Sequence, residues 1–165
     1  MSLMSIVPLS AGCAQPNAPS AGCVSPACVE LPLTRFRPDE IAFVGANEFD
    51  HSASIVVRDR NAWESAWAQL HRRLGGPPPP LPAVDFSTEM VLVLAIGARS
   101  TSGYSVRLTG ASESGGAVTV DAVVSSPRAD CITLQVITYP VDLVRMSRRS
   151  GTVTFRVTPG APSCQ

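Results

Sequence analysis

The sequence predicts an α+β domain, with one amphipathic helix packed on a mostly antiparallel sheet of about seven strands. Three observations lead there. The unbroken apolar run Val91–Ile96 reads as a strand buried on both faces. One stretch alone has helical spacing, with Trp63, Ala66, Trp67, Leu70 and Leu74 forming a single apolar stripe. Around them, valine-rich segments alternate apolar and polar residues and are punctuated by glycine and proline turns.

Composition bounds the rest. A chain of 165 residues is long enough to bury a real core as one domain. Thirteen basic and thirteen acidic residues cancel, so nothing argues for nucleic acid or an anionic membrane surface as partner. Apart from two histidines every basic residue is arginine, and these are scattered, with Arg72-Arg73 and Arg148-Arg149 the only adjacent pairs.

Residues 1–33 read as a leader remnant and flexible linker. They are rich in Ser, Ala, Pro, Gly and Cys and carry no charge before Glu30. Residues 34–165 are expected to form the single domain. Met4–Cys13 resembles the end of a bacterial lipoprotein signal, with Ala11-Gly12 directly ahead of the cysteine. That resemblance implies export, lipidation at Cys13 and contact with a membrane through the lipid alone; the alternative is an ordinary tail. The remaining cysteines are Cys23, Cys28, Cys131 and Cys164, candidates for disulfides in an oxidising compartment, with free thiols as the alternative. Cys23 and Cys28 are close enough to pair locally, whereas a Cys131–Cys164 bridge would staple the C-terminal tail to the sheet. Cys23-x4-Cys28 with no nearby histidine is a poor zinc pattern, and no metal is expected.

The elements follow in order. Ile41–Ala46 and Ser54–Arg58 read as short strands joined by the polar turn Asn47–Ser52. Asn61 then serves as helix N-cap with Glu64 three residues on, a capping-box pattern. Gly75-Gly76 and Pro77–Pro80 end the helix, because proline cannot continue it. Its two tryptophans are expected in the core, against the sheet face carrying Val91 and Val93. Val84–Ser87 leads into the central strand. Tyr104–Ser112 and Ala117–Val124 form a hairpin through Glu113–Gly116, where Gly-Gly suits the tight turn. Ser125–Asp130 is a polar loop before a strand at Ile132–Thr138. Tyr139-Pro140 interrupts, Val141–Met146 resumes, and Ser147–Gly151 turns into Thr152–Val157.

Between the central strand and the hairpin lies a polar loop, Gly97–Gly103. Its residues Arg99, Ser100, Thr101, Ser102 and Gly103, with Tyr104, are the candidate partner-binding loop, since rigid strands flank it. No catalytic residues are expected. Only His51 and His71 could act as imidazole bases, and nothing ties either to a nucleophile. Gly103-Tyr104-Ser105-Val106-Arg107 lacks the second glycine of a nucleophile elbow. Asp85, Asp121, Asp130 and Asp142 stand singly and read as turns or solvated strand faces. No phosphate or dinucleotide fingerprint is present, and no cofactor is expected.

The segment Val56 through Trp67, with Val84-Asp85-Phe86, Val91–Gly97, Ser102-Gly103-Tyr104 and Tyr139 through Arg145, resembles the PrcB family of bacterial protease-complex subunits. The resemblance is to their C-terminal domain and covers about residues 54–148. It implies a non-catalytic, exported accessory of the cell envelope or periplasm that binds protein and supports assembly or stability of a secreted protease. A second, much shorter likeness exists. Ser100 through Tyr104 resembles the loop that chagasin-type cysteine-protease inhibitors insert into a protease cleft, which implies an inhibitor module instead.

Overall fold

The computed structural model describes residues 27–42 and 44–164. In it the central apolar run becomes β4 (Glu89–Ile96), with Met90, Leu92, Leu94 and Ile96 in one hydrophobic cluster and Val91, Val93 and Ala95 in another. A strand buried on both sides needs cover on both. On one side the cover is the helix α1 (Arg60–Leu70), whose Trp63, Ala66, Trp67 and Leu70 are buried against Val91, Val93 and Ala95 as expected. On the other it is a second sheet.

The remaining strands are β1 (Val29–Leu31), β2 (Thr34–Arg35), β3 (Ser52–Val57), β5 (Ser105–Ser114), β6 (Ala117–Ser125), β7 (Val141–Ser147) and β8 (Val153–Pro159). They form two four-stranded sheets, ordered β2-β7-β4-β3 and β1-β5-β6-β8. The eight strands thus correct the expectation of one sheet of about seven. Alternation told correctly which face of β5 and β6 is buried: Val106, Leu108, Val118, Val120 and Ala122 pack towards β4. It carries no information on which strands share hydrogen bonds, so two facing sheets and one wide sheet read alike. Pairing is antiparallel except between β6 and β8. The β5–β6 hairpin turns through Gly115 and Gly116 at φ 57° and 78°, the conformation that Gly-Gly predicts.

Four further expectations are corrected. The described residues of the strand expected at Ile41–Ala46 form none; Ile41 and Ala42 lie in a turn and Val44–Ala46 is a 3-10 segment, which Asn47 fixes by donating to the carbonyls of Val44 and Tyr139. Ile132–Thr138 is not a strand either, and only Thr138 makes a β-bridge, to Arg99. Val29–Leu31, in the stretch expected to be linker, pairs with β5 because Leu31 has apolar ground to bury beside Ala111. The helix N-cap is Asp59, whose carboxylate accepts from the Ala62 N–H at 2.8 Å; Asn61 is already inside the first turn, and Glu64 pairs with Arg60.

The helix stops at Leu70 with His71 as its C-cap, before Leu74 and before the Gly75-Gly76 and proline run expected to end it; the proline run has another role. It returns across α1, and the carbonyls of Pro82 and Pro79 accept from the indole N–H groups of Trp63 and Trp67 at 3.0 and 2.9 Å. A proline lacks a donor but keeps its acceptor, so the run can satisfy buried indoles without needing partners of its own. His71 caps the helix C-terminus with both ring nitrogens near carbonyls, those of Trp67 and Ala42.

Candidate functional site

The expected partner loop is half of a two-part structure. Gly97, at φ 81°, turns the chain out of β4 where an added Cβ would lie 3.0 Å from the Asp50 carbonyl. Arg99 then exchanges two backbone hydrogen bonds with Thr138, of 2.8 and 2.9 Å. Ser102 donates its N–H to the Leu134 carbonyl and accepts the Leu134 N–H on its hydroxyl oxygen. Thr138 donates its hydroxyl to the Thr101 carbonyl at 3.0 Å. Gly103, at φ 90°, lets the backbone pass Pro127, which a Cβ would approach at 3.0 Å. Tyr104 packs against the inter-sheet core with the Arg99 guanidinium over its ring. Ser100 is exposed. The loop therefore serves as a buttress, holding the 131–138 segment that lies beside it.

That segment carries the surface sequence reasoning missed. Ile132 is 100 % exposed, Leu134 68 %, Ile137 61 % and Val136 45 %, and no residue from Ile132 to Thr138 is charged. Apolar alternation suggested a strand with a buried face; the missing signal was a partner strand, which no local pattern supplies. The segment is tied at each end. Thr138 makes the bridge just described, and Cys131 is joined to Cys164 in a disulfide with Cα atoms 5.4 Å apart. Hence the bridge fastens the C-terminal tail to this loop rather than to a sheet strand. Ser163 adds a backbone bond to Ser126. At the base Arg128 and Asp130 form an ion pair, and the guanidinium holds the Asp130 carboxyl below the usual carboxylate range. Cys28 is also disulfide-bonded, while Cys13 and Cys23 lie outside the described residues.

Groups that could support catalysis are dispersed. His51 is exposed, and His71 is buried in the helix cap with both nitrogens near carbonyls. Asp85 sits in a turn before β4, where the Ser87 hydroxyl, then the Ser87 N–H, then the Thr88 hydroxyl lower its pKa. Asp121 pairs with Arg156. Among the described residues one acidic and sulfur cluster is close-set, Asp130 with Cys131 and Cys164, but its two sulfurs are bonded to each other.

Asp142 departs from the solvated-face expectation. Its side chain is 13 % exposed and receives Arg35, the Leu143 N–H at 3.0 Å and the Leu108 N–H at 2.6 Å. Arg35 closes the network by donating to the Leu108 carbonyl. This ties β2 and β7 of one sheet to β5 of the other, at the point where the β5–β6 register shifts between Leu108 and Gly110. The carboxylate and guanidinium thus take up both backbone groups of Leu108, beside the bulge.

Residues 90–147 match the family model described as PrcB C-terminal. The match spans β4 to β7 with both loops and begins well after residue 54. No curated protein matches the chain, and no solved structure does.

Proposed function

We propose that this chain is a protease-complex-related subunit, a non-catalytic, exported accessory of the cell envelope, and that its 131–138 loop is the face that meets a protease. The observation carrying this reading is the row of exposed apolar side chains, Ile132, Leu134, Val136 and Ile137, on an uncharged loop fastened at both ends. Burying one such side chain at an interface contributes roughly 1.5–3 kcal/mol. A pre-fixed loop loses little conformational freedom on docking, so more of that energy appears as affinity. The loop lies inside the segment that matches PrcB C-terminal. The Cys131–Cys164 disulfide supports an oxidising, extracytoplasmic compartment. Among the described residues no helix is long and apolar enough to cross a membrane; in this reading Cys13 would carry the lipid anchor.

The inhibitor reading asks for Ser100, Thr101 and Ser102 to be free to enter a cleft. Ser102 already accepts from Leu134, which favours the accessory reading. The test is cross-linking in native envelopes followed by identification of the linked protein. Wild type should link to a protease, and Ile132→Asp with Leu134→Asp should abolish the link while leaving the melting temperature within a few degrees. Recovery of no protease, or equal recovery by the variant, would reject the proposal.

A further inference from the structure

The two sheets leave one side of the sandwich open. β3 and β8 are each the outer strand of their sheet, and the space between them is a groove of about 600 Å³. Its apolar wall includes Leu94, Ile96, Val124 and Val157, the last 48 % exposed. Ser52 and Ser54 of β3 leave room beside it. Among the described residues Arg99 is the one charged residue of the lining, and no acidic residue lines it there.

We infer that this groove is a second binding site, for the C-terminal tail of a partner protein taken as an extended strand along β3 with its free carboxylate on Arg99. The inference stands on observations separate from the apolar loop and does not rest on the proposed function. Three features carry it.

The first is the edge itself. An outer strand is normally guarded by charge, proline or a bulge, because its unpaired N–H and C=O groups will accept another chain. β3 reads Ser-Ala-Ser-Ile-Val-Val, with no charge and no proline, and among the described residues it pairs with β4 alone, in unbroken register. β8, across the groove, carries Arg156 and ends in Pro159, so it is the guarded edge.

The second is charge. The arginines at 35, 37, 60, 72, 73, 128, 145, 149 and 156 each pair with a carboxylate. Arg58 and Arg148 donate to backbone carbonyls instead, and Arg107, exposed on β5 without an ion pair among the described residues, does not line the groove. Arg99 has neither an acidic partner nor a good backbone acceptor among the described residues; its guanidinium lies 5.6 Å over the Tyr104 ring, with a long 3.5 Å contact to the Ala98 carbonyl. A stacked guanidinium keeps its fork of donors available for a carboxylate.

The third is direction. Ser52 pairs with Ile96, so Arg99 stands just beyond the start of β3. A strand added antiparallel to β3 would run from Val57 towards Ser52 and deliver its C-terminus at Arg99. Its alternate side chains would enter the groove on Leu94, Ile96 and Val157.

The probe is a pool of hexapeptides built from Val, Ile, Leu, Thr and Ser, made once with free C-termini and once amidated. Each pool is selected against the full chain, and enriched peptides are titrated by fluorescence anisotropy. The free-acid pool should yield binders. Amidation, Arg99→Ala and Val157→Glu should each weaken them by about tenfold or more. Amide shifts in an NMR titration should cluster on Ser52–Val57. Folding of both variants is checked by circular dichroism, and Arg99→Lys, which keeps the charge but loses the planar fork, should bind between wild type and alanine. Any one of these results would overturn the inference: no enrichment from the free-acid pool, equal binding of amidated peptides, or shifts confined to the 131–138 loop. Sodium dodecanoate displacing the peptides no better than dodecyl alcohol is expected; stoichiometric dodecanoate binding that leaves the Ser52–Val57 amides unshifted would assign the groove to a fatty acid instead.

Discussion

Replacing Trp67 with alanine is the sharpest test of how the layers hold together. Trp67 is 3 % exposed, packs at a tilt with its ring centroid 5.3 Å from that of Trp63 and 4.2 Å from that of His71, and donates its indole N–H to the Pro79 carbonyl. A buried aromatic of this kind removes roughly 150–250 Å² from water. At about 25 cal/mol/Å² that is some 4–6 kcal/mol, an upper bound because the unfolded chain already hides part of the ring. Measured truncations of buried Phe or Trp fall at about 3–5 kcal/mol. Leaving the Pro79 carbonyl without its donor adds about 1 kcal/mol, unless water reaches it. We expect a loss of about 4 kcal/mol in total, a large share of the roughly 5–15 kcal/mol available to a domain. Trp67→Phe keeps an aromatic ring but removes the N–H and part of the buried ring area, so it should lose about 1–2 kcal/mol, less than the alanine change. Urea unfolding followed by far-ultraviolet circular dichroism avoids the lost fluorophore. With a slope near 2 kcal/mol/M the alanine midpoint should fall by about 2 M. A change under about 0.5 kcal/mol would mean that the tryptophan stripe is not core.

The remaining predictions concern the surface. Asp85 has its pKa lowered, chiefly by the Ser87 hydroxyl, so its contribution is present above the unfolded-state pKa and is lost as pH falls through the folded value. An NMR titration should place it below ordinary aspartates, and Ser87→Ala should move it upward; no movement would remove Ser87 as the cause. Replacing Cys131 and Cys164 together by serine opens a bridge spanning 33 residues and should cost about 2–4 kcal/mol, read by denaturation with and without reductant. Equal stability of the two forms would show that the bridge constrains nothing. Changing Ser100, Thr101 and Ser102 to alanine should lower the melting temperature by about 2–4 °C through the lost Ser102–Leu134 bond. Neither form should inhibit papain-like proteases at micromolar concentration, and inhibition weakened more than about tenfold by the change would restore the inhibitor reading. The full-length product expressed in bacteria should enter the detergent phase, and Cys13→Ser should return it to the aqueous phase; identical partition would reject lipidation of this chain.

What local pattern could reach was decided by whether a residue's neighbours in space are also its neighbours in sequence. The helix stripe, the doubly buried β4 and the Gly115-Gly116 hairpin are near-neighbour phenomena, and each was legible. The partition into two sheets was not, because it depends on the chain leaving β6 inside one sheet and entering β7, between β2 and β4, in the other. Ile41–Ala46 and Ile132–Thr138 both carried β-like composition. One is held in turns by Asn47, which reaches Tyr139 across 92 residues; the other lacks a partner strand. The candidate site was legible by half. Position between two strong strands pointed to Arg99 through Tyr104, yet the exposed apolar residues are on the segment those residues support. Asp142 read as solvated because a lone acid on a strand usually is. Its burial follows from Arg35 and the bulge at Leu108, distant in sequence by 107 and 34 residues.

The span of the family match bears on how the apolar loop is presented. Residues 90–147 contain two strands of each sheet, so the match covers the middle of the sandwich rather than a layer of it. Val91, Val93, Ala95 and Leu143 face outward from that middle and need Phe36, Val57 and the helix to cover them. β6 likewise depends on β8, which follows the match. The loop itself leaves β6 in one sheet and enters β7 in the other, so its two ends are fixed relative to each other only while the sheets stay packed. Asp142 and Arg35 help to hold that packing from β7 and β2. Cys164, beyond β8, holds the loop's first residue. An apolar surface made entirely of matched residues is therefore kept rigid by residues outside the match on both sides. Swapping only residues 90–147 into another scaffold would carry the hydrophobic side chains across without the geometry that makes them a docking face.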